Sequence, residues 1–278
     1  LNNSLSTASP NADALTNDAL STLAATAARP LPATDDPRLH SARLLVSLRD
    51  VDRPLFAVRE GRKVVLTDRP PQALQHLMGM IPATSAERLG SESFRHNHNL
   101  RYAYVAGAMA GGIASVDLVV DMGKNGFLGF FGAGALPLAQ IEQAIREIQA
   151  RLDQGEPWGM NLLHNYYDPQ AEWATVDLYL RTGVSRVEAA AFVDLSLPLV
   201  CYRAKGIHRN AEGRIVVPNH VFAKVSRPEV ASQFLAPAPA HHLAELVTMG
   251  CLTPQEAELA ALVPMAAAIT CEADSGGH

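Results

Sequence analysis

The sequence predicts an α/β protein built on a parallel sheet with helices packed on its faces. Three observations carry that prediction. After residue 102, short apolar runs alternate with amphipathic helical patterns. Two of the runs end in turns of small residues, Gly107-Ala108-Met109-Ala110-Gly111-Gly112 and Gly132-Ala133-Gly134. The segment 102–134 reads strand, small-residue loop, helix, strand, small-residue loop, a βαβ unit with both loops at the same end. Tiny side chains let backbone amides approach a ligand closely, so a ligand is expected there.

Composition sets the bounds. A chain of 278 residues is long enough for one large α/β domain and a smaller appendage. A formal charge of −5 and a pI near 6.1 leave no basic excess for a nucleic-acid footprint. Cys201, Cys251 and Cys271 are odd in number and lack metal-type spacing, which argues against a disulfide frame or a zinc site and fits a reducing compartment. No apolar run approaches the roughly 18 residues of a membrane span. No charged leader precedes an apolar core. The expectation is a cytoplasmic protein with no membrane and no nucleic-acid partner.

Taken in order, residues 1–37 are rich in Ala, Ser, Thr, Asn and Pro and read as a flexible leader, with room for a short helix at 13–27. Residues 38–98 read as a small α+β subdomain. It has strands at 42–48 and 55–58, a turn at Glu60-Gly61 into a strand at 63–66, and a helix at 71–78 stopped before Pro82. Arg95, His96 and His98 follow in a polar link; such a histidine pair can ligate metal, but a solvated linker is the commoner outcome.

From residue 99 the main domain begins. Residues 102–106 form its first strand, and Ser115 caps a helix whose Val116, Val119, Val120 and Met122 make an apolar stripe. Asn125-Gly126 ends that helix, and 127–131 is the second strand. Pro137 opens a helix with Leu138, Ile141, Ile145, Ile148 and Leu152 on one face. The third strand, 158–163, carries Asn161 alone among hydrophobes. At a strand end it offers a ligand both donor and acceptor, or else it satisfies a loop carbonyl. Asp168-Pro169 starts the next helix, which buries Trp173, Val176 and Leu180 and ends at Gly183.

The fourth strand, 186–192, carries Glu188, which must face the mouth or find a cationic partner. Arg203, Lys205, His208 and Arg209 lie in the segment 200–209, either meeting an anionic group or forming a solvated basic loop. Lys224 is embedded in the fifth strand, 221–225, where desolvation favours a paired or ligand-facing role. Residues 228–264 turn helical, with a capping box at Thr253-Pro254-Gln255-Glu256, and form an insertion able to roof the active site. The sixth strand, 266–271, delivers Glu272-Ala273-Asp274-Ser275-Gly276-Gly277-His278. The glycine amides of this turn can face an anion or flavin edge, and the histidine can move protons near neutral pH.

Together these pieces resemble the flavin-dependent family that includes nitronate monooxygenases and one class of bacterial enoyl reductase. The resemblance rests on Gly107-Ala108-Met109-Ala110, the turn ending at Gly134, Gly159-Met160-Asn161-Leu162, Ala223-Lys224-Val225 and Asp274-Ser275-Gly276-Gly277-His278. It covers residues 89–278, and 44–82 more weakly. Within the family the chain looks most like the free-standing enoyl reductases that serve trans-acyltransferase polyketide synthases and polyunsaturated fatty acid synthases. Ala108 stands where nitronate enzymes usually have proline, and Asp274-Ser275 where they favour Glu-Ala.

The resemblance implies a (β/α)₈ TIM-type barrel that binds FMN and uses NADPH. About six of its strands are in this sequence, which implies a fragment or completion by another chain. Ala108, Met109 and Ala110, with Gly107 before them, would line the flavin through backbone atoms. Asn161, Lys224 and Asp274 would hydrogen-bond it, and Gly276 and Gly277 would pass close to it. His278 would be the active-site histidine, with Lys224 as the other candidate proton donor. The implied activity is reduction of an α,β-unsaturated thioester on an acyl carrier protein. A polyketide synthase or acyltransferase partner and a homodimer are both compatible with it. A nitronate monooxygenase and a non-catalytic carrier-protein docking scaffold are the alternatives.

Overall fold

The computed structural model describes residues 50–71 and 73–272. The expected leader, the strand at 42–48, and Asp274, Gly276, Gly277 and His278 lie outside the described residues. Backbone proximity divides the chain into Leu1–Leu89 and Gly90–His278.

In the first unit, β1 (Leu55–Glu60), β2 (Lys63–Thr67) and β3 (Leu77–Ile81) form an antiparallel sheet of order β2-β1-β3. Gly61, at φ +62°, makes the tight β1–β2 turn in a conformation that a Cβ disfavours. Leu55, Phe56 and Val58 of β1 are buried. The helix expected at 71–78 is not formed; Leu74–His76 makes one 3₁₀ turn and the chain then extends into β3. Helical periodicity cannot register that β1 has a free edge, whose N–H and C=O groups are satisfied by pairing Leu55 with Ile81 and Phe56 with Met80. Gly79 weakens the helical alternative further.

The second unit opens with α1 (Glu92–His98), capped by Ser91, whose hydroxyl accepts from the Phe94 amide at 3.2 Å. Then come β4 (Val105–Ala106), α2 (Val116–Lys124), β5 (Leu128–Phe131), α3 (Leu138–Arg151), β6 (Trp158–Leu163), α4 (Pro169–Thr182), β7 (Arg186–Ala190) and α5 (Leu197–Ala204). A two-stranded ribbon, β8 (His208–Arg209) and β9 (Ile215–Val216), leads to β10 (His220–Val225). Helices α6 (Pro228–Leu235), α7 (Ala240–Thr248) and α8 (Pro254–Ala260) precede β11 (Ala268–Cys271). Among the described residues no helix is long and apolar enough to cross a membrane.

The main sheet is parallel, with strand order β11-β10-β7-β6-β5-β4. That order is strictly sequential. Right-handed crossovers that always step in one direction put every helix on one face and curl the sheet, as in a TIM-type barrel; a doubly wound sheet would reverse at a switch point. The side chains bear this out. The outward residues Phe131, Met160, Leu162, Val187, Ala189, Val221 and Val225 join the helices in one large core. Ile141, Ile145 and Ile148 of α3 bury there, each worth about 1.5–3 kcal/mol of transfer free energy. The inward face has its own small cluster of Leu100, Leu128, Phe130 and Phe222. Gly159 leaves room for the Phe130 ring, since a Cβ there would lie 2.3 Å from Phe130 Cε1.

The first strand is shorter than expected: two residues pair instead of five. Tyr102 instead stacks on Phe127 at 4.6 Å, and its amide bonds to the Gly126 carbonyl, so that the bonds to β5 begin only with the Tyr104 carbonyl, which accepts the Leu128 amide at 3.2 Å. The segment around His98 is not a polar link. His98 is 4% exposed on α1, packed on Phe222 at 4.9 Å and His220 at 5.4 Å, beside the start of β10. The basic segment is solvated only in part: His208 and Arg209 are exposed, but Arg203 is not. Arg203 is buried, donating from Nε and Nη2 to the Pro264 carbonyl and from Nη1 to that of Asn219. Part of the helical insertion is also not a roof. Its Glu256 and Cys251 bind Gly206 and Lys205 just beyond the C-terminal end of α5, near where strands begin.

Burial and the nearby Arg186 guanidinium hold both His98 and His220 down to about 4, so both are neutral in the folded protein at pH 7. A depressed folded pKa contributes stability that is present above the unfolded value of 6.5 and lost as pH falls toward 4. Urea unfolding midpoints should therefore drop across that window, as up to two protons are taken up on unfolding. In His98→Leu the drop should be shallower; an unchanged slope would refute the assignment.

Candidate active site

The site is built at the end of the sheet where the parallel strands finish. Two loops frame it, 107–114 after β4 and 132–136 after β5. They are tied to each other by backbone bonds from Gly111 N to Gly134 O at 2.8 Å, Gly112 N to Gly132 O at 2.9 Å and Gly132 N to Ala114 O at 3.0 Å. Their approach requires glycine, because a Cβ on Gly132 would lie 1.6 Å from the Met109 carbonyl oxygen. A Cβ on Gly134 would meet Asn161 Oδ1 at 3.1 Å and the Ala110 Cβ at 3.2 Å, so these three residues adjoin. Met109, 47% exposed, stands at the opening.

Beneath the first loop lies Glu188, 2% exposed on the inward face of β7. Its Oε2 accepts the Ala108 amide at 2.7 Å, and the missing side chain of Gly107 makes room for Oε1. Register places Asn161, Glu188 and Phe222 side by side on β6, β7 and β10. Asn161 is buried and donates from Nδ2 to the Glu188 carbonyl at 3.1 Å, while its own carbonyl accepts the Tyr179 hydroxyl at 2.6 Å. Lys224, two residues beyond Phe222 and on the same face, pairs with Glu272 at 2.7 Å. Burial pushes the Glu188 carboxyl up, and the Ala108 N–H and the Lys224 charge offset this in part. Two alanines with positive φ, Ala135 at 63° and Ala191 at 64°, follow β5 and β7. Strain of this kind clusters where a ligand must be approached closely.

Of the residues singled out from sequence, Gly107, Ala108, Met109, Ala110, Asn161 and Lys224 therefore gather around Glu188. Asp274, Gly276, Gly277 and His278 lie outside the described residues; Glu272, on Lys224, leads toward them. Sequence reading missed a second group at the same rim. His164 directly follows β6, and its Nδ1 lies 2.9 Å from Oε2 of Glu172 on α4. Glu172 also accepts from the Asn165 amide at 3.2 Å and from the Ser196 hydroxyl. His164, Glu172, Asn161, Leu163 and residues 133–136 line a hollow of about 330 Å³. The available signal was a histidine following an apolar strand at the same end as Asn161. A larger hollow, about 510 Å³ and lined by Asn99, Arg101, Lys124 and Gln154, lies at the opposite strand ends, away from this chemistry. Among the described residues no group of three or more His, Cys, Asp or Glu could hold a metal ion.

The donor set fits a flat, polar-edged ring. Small residues (Ala108, Ala110, Gly134) would border its plane, while Asn161 and Lys224 would supply an amide and a cation for its oxygens.

No protein-family model matches the chain. The chain is 48% identical over 194 residues to the polyketide biosynthesis protein PksE of Bacillus subtilis, covering 70% of this chain and 25% of that protein. It is 41% identical over 253 residues to a polyunsaturated fatty acid synthase polypeptide of Thraustochytrium sp., covering 90% of this chain and 17% of that protein. Among solved structures, the enoyl reductase domain of MlnA, from the macrolactin cluster of Bacillus amyloliquefaciens, matches with a TM-score of 0.66 and 40% identity. The match covers 68% of this chain and 43% of that structure. The chain is homologous to that enoyl reductase domain. The chain spans a quarter or less of the length of the curated relatives it matches.

Two outcomes test the geometry. Gly132→Ala should force the two loops apart, at about 1–3 kcal/mol, and speed hydrogen exchange at the Gly111 and Gly112 amides; unchanged protection would contradict the contact. A carboxyl whose folded pKa is raised contributes stability below its unfolded value that is lost as pH rises through the folded one. Glu188→Gln should thus gain in thermal midpoint over the parent as pH rises above about 4.5, and a falling difference would count against a costly buried charge.

Proposed function

We propose that the chain forms the cofactor-binding part of an FMN-dependent enoyl reductase. Driven by NADPH, the enzyme reduces α,β-unsaturated acyl thioesters on an acyl carrier protein in polyketide or polyunsaturated fatty acid synthesis. The observation that carries the reading is the convergence of two glycine-tied loops, Asn161, Glu188 and Lys224 on one end of a sequential parallel sheet, in a homologue of an enoyl reductase domain.

When bound, FMN supplies the relay that passes a hydride from the nicotinamide to the β-carbon of the thioester. The protein's share is placement and charge. Glu188 holds the 107–110 loop through the Ala108 amide, and the loop's backbone would border the ring. Asn161, whose main-chain carbonyl takes the Tyr179 hydroxyl, and Lys224, held by Glu272, would present donors to the ring oxygens. Phe130 and Phe222 pack together on the inward face beside this group and give it an apolar neighbour. His278 donates to the thioester carbonyl as negative charge develops there, an assignment that rests on its place in the Gly-Gly-His motif.

The full-length protein, purified, should carry a flavin absorbance that bleaches anaerobically with NADPH and returns on adding an enoyl thioester. Bleaching by an alkyl nitronate but not by NADPH would favour nitronate oxidation, and a colourless protein that takes up no FMN would favour a docking scaffold. His278→Ala should retain flavin and lose about 10²-fold or more in enoyl reduction; full turnover would overturn its role.

A further inference from the structure

The imidazole of His164 stands in an arrangement that the placement of a flavin does not use. It follows β6 at the mouth, its backbone amide donates to the Ala190 carbonyl at 3.0 Å, and its ring lies against Phe192 at 4.9 Å. Glu172 faces it with a side chain only 1% exposed. That carboxylate is fully engaged: one oxygen takes the Ser196 hydroxyl, the other takes His164 Nδ1 and the Asn165 amide. Such a surround keeps Glu172 an acceptor, which places a proton on Nδ1 and leaves Nε2 as the working nitrogen. Among the described residues no hydrogen-bond partner takes Nε2, and the ring lines the hollow that Asn161 also lines. A carboxylate serving only as a helix-end acceptor would have no need of the imidazole. A buried carboxylate that fixes the tautomer and orientation of a half-open histidine is instead how an acid–base residue is prepared.

We propose that His164, oriented by Glu172 and Ser196, is the acid that protonates the α-carbon of the unsaturated thioester. This rests on the reductase reading above. The C=C bond takes a hydride at its β-carbon, the reductant being the flavin reduced by the nicotinamide, and its π pair moves to the α-carbon and thioester carbonyl. That pair then forms the new Cα–H bond with the Nε2 proton. The N–H bond breaks, the imidazolium becomes neutral imidazole with Nδ1–H still on Glu172, and solvent restores the Nε2 proton. His278 is left to polarise the carbonyl, so the two histidines divide the work. Leu163 and residues 133–136 give the hollow an apolar side suited to the acyl chain next to that carbon.

The test uses the full-length protein, with crotonyl-pantetheine as probe and every rate taken per bound flavin. His164→Gln should slow reoxidation of the reduced flavin about 10²-fold. In D₂O it should also scramble the face on which the α-deuteron arrives, where the parent delivers it to one face. Glu172→Gln, which keeps volume, should slow the same step less and shift the His164 tautomer seen by ¹⁵N NMR away from Nδ1–H. Parent-like rates and a single labelled face in His164→Gln would overturn the proposal. A slowed His164→Gln that still labels one face would also overturn it, leaving His164 a positioning residue. A parent protein without flavin would instead refute the reductase reading on which the proposal stands.

Discussion

A carboxylate inside a parallel sheet is the constraint around which the site is arranged. Glu188 is held where water cannot solvate it, and an unpaired charge there would cost several kcal/mol. Its nearest relief is the Ala108 amide, with the Lys224 charge acting from the next strand. Satisfying that carboxylate therefore pulls the first loop down onto the sheet, and Gly107 must be glycine for the oxygens to fit. The loop's position, and with it the surface offered to a ligand, follows from the need to solvate one buried group.

The sheet can hold such a group because its two faces carry different duties. The outward face is wholly apolar and joins the helices in a continuous core that supplies the stability. The inward face runs from a basic end to a functional end. Arg186 and His220 lie at the strand starts with His98 beside them, Phe222 meets Phe130 and stands level with Asn161 and Glu188, and Lys224 follows toward the finish.

The second polar group at the mouth, His164 with Glu172 and Ser196, uses two successive βα connections. The histidine ends β6, the glutamate sits in the first turns of α4, and the serine caps α5. Each is placed by an ordinary local rule, a strand end, a helix start and an N-cap, yet they meet because successive connections return to the same end of the sheet.

How much could be read in advance follows from the range of each interaction. Ser115, Asp168 and the Thr253–Glu256 capping box set their helix starts through bonds spanning three residues, and the strands 158–163 and 221–225 follow from short apolar runs. Such features belong to the sequence alone, as do the glycine-rich corners and the six-strand alternation that carry the family likeness. Whether Leu77–Ile81 would coil or extend depended on a free strand edge about 20 residues away. Whether Arg203 would be solvated or buried depended on the Pro264 and Asn219 carbonyls. The pairing of Glu188 with Ala108, 80 residues apart, and of His164 with Glu172 and Ser196 also required the folded chain. Local hydrogen bonds and periodicity determine elements, but a buried polar group chooses its partner only once the sheet has brought distant loops within about 3 Å.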